Sequence, residues 1–355
     1  MPGKWLVFQE NLKAPMAISA LSAPSAWAPF RISPWYSERV WGWRDLHPWY
    51  DRVVADGVPI GEAWLTGDQC IVATGAHTGQ TLGALFAAAP ESLLGSAAPI
   101  SKAGGPNVSP LLIKVIFAKQ KLSVQVHPDD AMAQKYGEPR GKTECWYVLS
   151  AEPGAQIACG LKPGVTLDSI RAGIEAGTLE SSLNLIDVTG GEMIYVDAGT
   201  VHSIFPGSIL LETQQNCDLT YRMYDFGRGR ELHIKKSLEA TRLVTRAGKI
   251  PSRALADRTL LIDGEYFRVE RIAIAGNKTS ASLADEAETT SGLQYLFVAG
   301  GAARIAGSSF ESVELPMGGI VAVPAASPEF AVEDMGSLDL MRITPRWPVE
   351  KDNKD

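Results

Sequence analysis

The sequence is cut into short apolar or alternating runs, rich in Val, Ile and aromatic residues and closed by Gly or Pro. Such runs suit strands, whose side chains fall on opposite faces at every step. Leu111–Phe117, Leu122–His127, Thr143–Leu149, Gln156–Cys159, Met193–Val196, Ile209–Thr213 and Leu219–Tyr224 read this way. A second series follows at Tyr266–Ala275, Gly292–Val298, Ala303–Ile305, Gly319–Val323 and Leu338–Ile343. Many short strands between turn signals fold as a sandwich or barrel. A few helices interrupt them. Thr81–Ala88 and Pro128–Tyr136 are two, the latter with Asp129 and Asp130 in its first turn. Thr166–Ala176 is the clearest, with Leu167, Ile170 and Ile174 on one face and Gly177 past its end.

At 355 residues the chain can form one large or two ordinary domains. The composition change near Arg246–Asp257, in RAGKIPSRALAD, marks a boundary. A hydrophobic content of 45% describes a globular chain. The net charge of −7 argues against nucleic acid as a main partner and leaves a small phosphate ester open. The cysteines (Cys70, Cys145, Cys159, Cys217) have no CxxC spacing and read as buried thiols in a reducing, cytoplasmic setting. No apolar run approaches the ~20 residues of a membrane helix. Residues 1–28 read as a poorly structured extension, with Met16 a plausible alternative start.

Chemistry concentrates in three strand-like segments: LSVQVHPDD with Gln125 and His127, GKTECWYVL with Glu144, and DAGTVHSI with His202. Residues two apart in a strand share a face, so Gln125 and His127 project together, and so do Lys142 and Glu144. Imidazole, carboxylate and amide donors make a site for Zn²⁺, or for Mn²⁺, Fe²⁺ or Co²⁺. The bland alternative is a pair of ordinary histidines in a β-protein. Lys114, inside the apolar run LLIKVIF, needs a partner or an anion if that strand is buried. Glu212 and Gln214 share a face, as do Thr220, Arg222 and Tyr224. Trp35, Trp41, Trp43, Trp49 and Trp64 read as core packing rather than a sugar platform.

In chain order, LSVQVHPDD, GKTECWYVL, GTVHSI and TYRMYDFGR resemble the short bacterial form of the type I phosphomannose isomerases (mannose-6-phosphate isomerases), a family of metal-dependent cupins. RVWGWRDL, IGEAWLTG and ELHIKKSLEA extend the resemblance from about Pro29 to the end, more loosely in the last third. It implies a mainly β bicupin of two β-sandwich or jelly-roll domains with a few helices. Residues 29–250 would be the metal-binding catalytic domain and 258–348 a metal-free companion, which holds no histidine. One Zn²⁺ per chain would sit on Gln125, His127, Glu144 and His202. Arg222, Lys142 and Glu212 would be catalytic, and Lys114, Ser123 and Asp218 would bind substrate, with Asp218 orienting Arg222 or Lys142. The family's turn Pro is Asp197 here, a substitution the turn should tolerate, and Cys217 stands where many members have Ser.

The implied reaction is the isomerisation of mannose 6-phosphate and fructose 6-phosphate through an enediol, with Glu212 or a lysine moving the proton. Two other readings stay open: a metal cupin of another reaction class, such as an oxygenase, or one acting on a different sugar, and a sugar-binding or sensing bicupin without isomerase activity. Oligomeric state is not legible.

Overall fold

The structure, a computed structural model, describes residues 26–95, 109–273 and 292–347. The expected N-terminal extension lies outside the described residues through position 25. At its end Trp27 is ordered against the ring of His77, with centroids 4.6 Å apart. The chain is mainly β with a few short helices. Its strands form sheets of eight, seven, five and three strands among the described residues.

The seven-stranded sheet runs Gly248–Ile250, Met193–Val196, Glu144–Ala151, Ser208–Gln215, Leu111–Ala118, Ile60–Trp64, Trp35–Trp43. Ser208–Gln215 lies at its centre, antiparallel to both neighbours. Every residue of Ser208–Gln215 and of Leu111–Ala118 is buried, so the sheet is covered on both faces. The alternation therefore sorts side chains between two interiors instead of between interior and solvent. Ile113, Val115, Cys145, Tyr147, Ile209 and Leu211 face one core, which they share with Phe267, Val269, Tyr295, Phe297 and Met341. Ile116, Trp146, Val148 and Leu210 face another, with Leu122, Ile157 and Ile204. By the same period Lys114, Glu144 and Glu212 fall on this second side.

The five-stranded sheet covers that second side. Its order is Tyr221–Tyr224, Val124–Val126, His202–Ile204, Gln156–Leu161, Leu183–Asp187. On the other side lies the eight-stranded sheet, whose far face packs on the three-stranded sheet through Leu296, Val321, Ile305, Leu315 and Val332. The result is two sandwiches, back to back. The eight-stranded sheet also takes Phe30–Ser33 and Ile71–Val72 from the N-terminal part, with Phe30 opposite Ala322 and Ile32 opposite Val72. It thus crosses the expected 29–250 and 258–348 division, which we keep only as a proposal for where the chain passes from one sandwich to the other.

The helices begin where side chains can cap them. Thr81 Oγ1 accepts from Ala84 N–H, Asp129 Oδ1 from Met132 N–H, and Thr166 with Ser169 forms a capping box. Gly177 ends Leu167–Ala176 at a left-handed φ of 70°. Ile170 and Ile174 are buried as expected, but Leu167 is 41% exposed. It is the first helical residue, and helical side chains lean toward the N-terminus, so it overhangs the body it was expected to cover. Among the tryptophans, Trp41 and Trp49 are buried, whereas Trp35 is 43% exposed and meets Trp64 edge-on.

Inside the second sandwich Glu270 is fully buried. It accepts from Arg342 Nε at 2.7 Å and from Arg268 Nη2 at 2.8 Å. Truncation would strand guanidinium charge in an apolar interior. Glu270→Ala should therefore destabilise the fold by about 3–5 kcal/mol, read as a lower urea midpoint. An unchanged midpoint would show that water reaches these arginines.

Candidate metal centre and the adjoining cleft

Strand geometry brings the expected donors together. His202 opens a strand that pairs with Val124–Val126, opposite Gln125. Glu144 opens the strand that pairs with Met193–Val196 and with Ser208–Gln215. Gly199 carries a φ of 89° in the turn before His202, and its N–H donates to His127 O at 2.9 Å. Asp197 serves that turn by accepting from Thr200 Oγ1 at 2.9 Å. The ligand-capable atoms of His127, Glu144 and His202, all buried, lie within 4.8 Å of one another.

Both imidazoles are oriented from behind. His127 Nδ1–H donates to Leu219 O at 2.8 Å, and His202 Nδ1–H donates to Thr200 O at 2.9 Å. Carbonyls only accept, so each ring presents the lone pair of Nε2 to the cluster. These Nε2 atoms lie 3.7 and 3.5 Å from the Glu144 carboxylate. Burial, then the Lys142 charge and His202, hold the His127 pKa well below the ordinary value. Burial, opposed by the Thr200 bond and helped by Lys142, lowers His202 to about 4. Both rings are thus neutral at pH 7, the form that ligates metals.

Glu144 Oε1 is buried with no hydrogen-bond partner among the described residues. A bare carboxylate oxygen beside two imidazole lone pairs suits a cation, and the donor set of N and O atoms fits a divalent metal. The other carboxylate oxygen bonds Lys142 Nζ, which also sits 3.1 Å from His127 Nε2. Gln125, the expected fourth donor, is in place but turned. Its Nε2 lies 3.3 Å from His202 Nε2, and its Oε1 accepts from Ser123 Oγ at 3.1 Å. Rotating the amide by half a turn would aim the oxygen at the cluster.

A cleft of about 550 Å³ opens beside this cluster, lined by Lys114, Lys142, Trp146, Glu212, Asp218 and Arg222 among others. Lys114 stands opposite Glu212 in the sheet and is only 2% exposed. Its ammonium lies 2.9 Å from Asp218, 3.6 Å from Glu212 and 4.0 Å from Glu62. The Trp64 ring is 4.5 Å away. Burial would lower its pKa, but Asp218, Glu62 and Glu212 together push it up. Asp218 was expected to orient Arg222 or Lys142. It instead holds Lys114, whose Nζ donates to Asp218 Oδ1 at 2.9 Å.

Glu212 lies between the two lysines, with Lys142 also 3.6 Å away, and accepts from Trp146 Nε1 at 3.1 Å. Burial and then the Glu144 charge raise its pKa against the pull of Lys142 and Lys114. Arg222 is opposite Gln125 in the five-stranded sheet. Its Nη1 donates to Glu231 O at 2.8 Å, while its Nε is buried without a hydrogen-bond partner among the described residues. The sequence reading missed Glu62, Arg39 and Arg230, which also line the cleft. Arg39 and Glu62 pair at 3.1 Å, and Arg230 Nε donates to Asp225 at 2.8 Å. A glutamate inside the apolar strand IGEAW was the available signal for Glu62.

No family model matches the chain. A mannose-6-phosphate isomerase of Streptococcus mutans is 41% identical over 180 residues, 48% of this chain and 57% of that protein. A protein of Bacillus subtilis named "Probable mannose-6-phosphate isomerase GmuF" is 32% identical over 247 residues, 66% of this chain and 74% of its own length. The chain belongs to the mannose-6-phosphate isomerase family. It spans little more than half the length of the first relatives it matches, 57% and 58%. The crystal structure of the Bacillus subtilis mannose 6-phosphate isomerase superposes with a TM-score of 0.76 at 28% identity, over 89% of this chain and 99% of the other. The fold is therefore that family's fold across both sandwiches. A phosphomannose isomerase variant from Salmonella typhimurium shares the fold alone, at 15% identity and a TM-score of 0.71 over 90% of this chain and all of its own.

His202→Ala should abolish tight binding of a divalent metal while the chain stays folded. Metal analysis after dialysis would check it, and unchanged stoichiometry would move the centre elsewhere. Acid should also destabilise the metal-free protein. The folded pKa of His202 is about 4, so the unfolded chain takes up the proton first as pH falls. Stability is complete above about pH 6.5 and declines toward pH 4, by ~3 kcal/mol from this ring alone. Urea unfolding of chelator-treated protein at stepped pH would measure the slope.

Proposed function

We propose that the chain interconverts mannose 6-phosphate and fructose 6-phosphate, with one zinc ion held by His127, Glu144, His202 and Gln125. The observation that carries the reading is Glu212. It is a buried carboxylate with a raised pKa, set between two ammonium groups, on the wall of a cleft that also contains a cation-ready cluster. Mn²⁺, Fe²⁺ or Co²⁺ would suit the same donors. When bound, the metal supplies Lewis acidity toward the sugar oxygens at C1 and C2.

The protein's own groups do the rest. Glu212 takes the proton from C2 of the aldose; the electron pair left behind forms the C1–C2 double bond while the carbonyl pair moves onto O1, giving the enediolate. The same carboxyl returns the proton to C1, and the hydroxyl proton of O2 passes to O1 as the O2–H pair closes the C2 ketone, so that no proton is gained or lost overall. Burial raises the basicity of Glu212, bringing its pKa nearer to neutrality, where an acid–base group works in both directions. Lys142 and Arg222 carry positive charge beside the place where enediolate charge develops. Trp146 fixes the carboxylate through its indole N–H. Ser123 and Lys114 line the substrate side. Because Lys114 already faces three carboxylates, we assign the phosphate end chiefly to the arginine side of the cleft, where Arg222, Arg39 and Arg230 stand. Asp218 acts on substrate through Lys114. The four free thiols agree with a cytoplasmic setting. No helix among the described residues is long and apolar enough to cross a membrane.

An isomerase assay with mannose 6-phosphate tests the reading. Turnover should vanish with chelator and return with zinc. Glu212→Gln should lower kcat by ~10²–10⁴ with metal content unchanged, and Arg222→Ala by ~10²–10³. A Glu212→Gln variant with near-normal turnover would pass the proton transfer to a lysine. A parent protein that binds the sugar phosphate without converting it would favour a sensing role.

A further inference from the structure

We propose that Tyr266, in the C-terminal half, is a positioning residue for the metal centre, acting through Asp130 on the backbone that carries Lys142 and Glu144. The proposal rests on the metal centre assigned above, and it concerns a residue with no atom in the cleft.

Tyr266 lies in the tight link between Thr259–Asp263 and Phe267–Ala273. Its carbonyl accepts from Arg346 N–H at 2.8 Å, and its half-buried ring packs against the core between the sandwiches. The hydroxyl is thus held at a fixed place, where it donates to Asp130 Oδ2 at 2.8 Å. The other oxygen of Asp130 accepts from Gly141 N–H at 2.7 Å and from Gln215 Nε2 at 2.9 Å. Gln215 in turn accepts from Thr143 N–H through Oε1 at 2.8 Å. Lys142 N–H donates to Pro128 O at 3.0 Å. Every amide from Gly141 to Thr143 is therefore tied down, two of them through the one carboxylate that Tyr266 anchors.

The same tie sets the distance between two metal donors. His127 immediately precedes the Pro128–Asp130 segment, and Glu144 immediately follows Gly141–Thr143. The two segments touch so closely that a Cβ on Gly141 would sit 2.5–2.7 Å from backbone atoms of Pro128, Asp129 and Asp130. A loosened Asp130 would let this contact open and move Glu144 away from His127. Groups that orient ligands from outside typically change metal affinity by 10–100-fold when removed.

Tyr266→Phe removes one hydroxyl and keeps the ring in the core. We expect amide exchange at Gly141 and Thr143 to speed up about tenfold, with exchange in Asp339–Pro345 and the thermal midpoint little changed. Zinc affinity, measured by chelator competition, should fall about tenfold. Asp130→Asn should act in the same direction, and the double variant should be no worse than the worse single, since both break one chain of bonds. Unchanged exchange at Gly141 and Thr143 would overturn the proposal, and so would faster exchange spread evenly over the molecule. The zinc and exchange measurements need no substrate. If they behave as expected while the parent protein fails to isomerise mannose 6-phosphate, the proposed function falls and the positioning role stands.

Discussion

Buried charge at the floor of the cleft is the constraint around which the first sandwich is organised. Glu144 and Glu212 are buried beside Lys114 and Lys142, and Asp218 reaches Lys114 from the exposed rim, three formal negative charges against two positive. Isolated ions of this kind cannot be buried without partners. The separations show how the set is satisfied. Lys114 is shared between Asp218 and Glu212, and Lys142 between Glu144 and Glu212. Removing any member would leave its neighbours miscounted, so the cluster behaves as a unit. Glu62 and Arg39 form a further pair at the edge of this set and add no net charge to it. The formal excess of one negative charge, with a bare oxygen on Glu144, is what makes a divalent cation compatible with so dry a place.

Such a floor is only as precise as the sheet beneath it. Ser208–Gln215, Leu111–Ala118 and Glu144–Ala151 supply Glu212, Lys114 and Glu144, and their apolar alternates lock into the core shared with the C-terminal half. A slip of one residue in any of these strands would exchange charge for hydrocarbon on both faces at once. The register is therefore fixed by two opposed demands. The ionic face needs its partners, and the apolar face needs Phe267, Tyr295 and Met341.

Much of this was legible from local pattern. The period of two placed Gln125 with His127 and Lys142 with Glu144, and the run LLIKVIF already required a partner for Lys114. The limits are physical as well. Alternation says which residues share a face but not which strand lies alongside. Phe30–Ser33 could thus join the C-terminal sheet, and Asp218 could pair with Lys114 instead of Arg222 or Lys142, without any local sign. Leu167 fitted the helical stripe and is exposed, because a stripe does not say where the covering body ends. The contact between Tyr266 and Asp130 spans 136 positions in sequence and joins the start of one expected strand to the first turn of one expected helix.

The two sandwiches differ most plainly at their buried glutamates. Glu270 has both oxygens occupied by guanidinium donors, Oε1 by Arg268 and Oε2 by Arg342. Its countercharge is covalently part of the chain, so nothing from outside can replace it without expelling an arginine. Glu144 has one oxygen committed to Lys142 and the other uncommitted, flanked by two neutral imidazoles whose remaining lone pairs face the same point. Lysine and imidazole leave room that arginine would fill, since a guanidinium spreads five donors in a plane over both carboxylate oxygens. The half that closes its charge internally meets the other half at the shared core and at the Tyr266–Asp130 hydrogen bond. The half that leaves a charge open is the one in which a cation has a reason to bind.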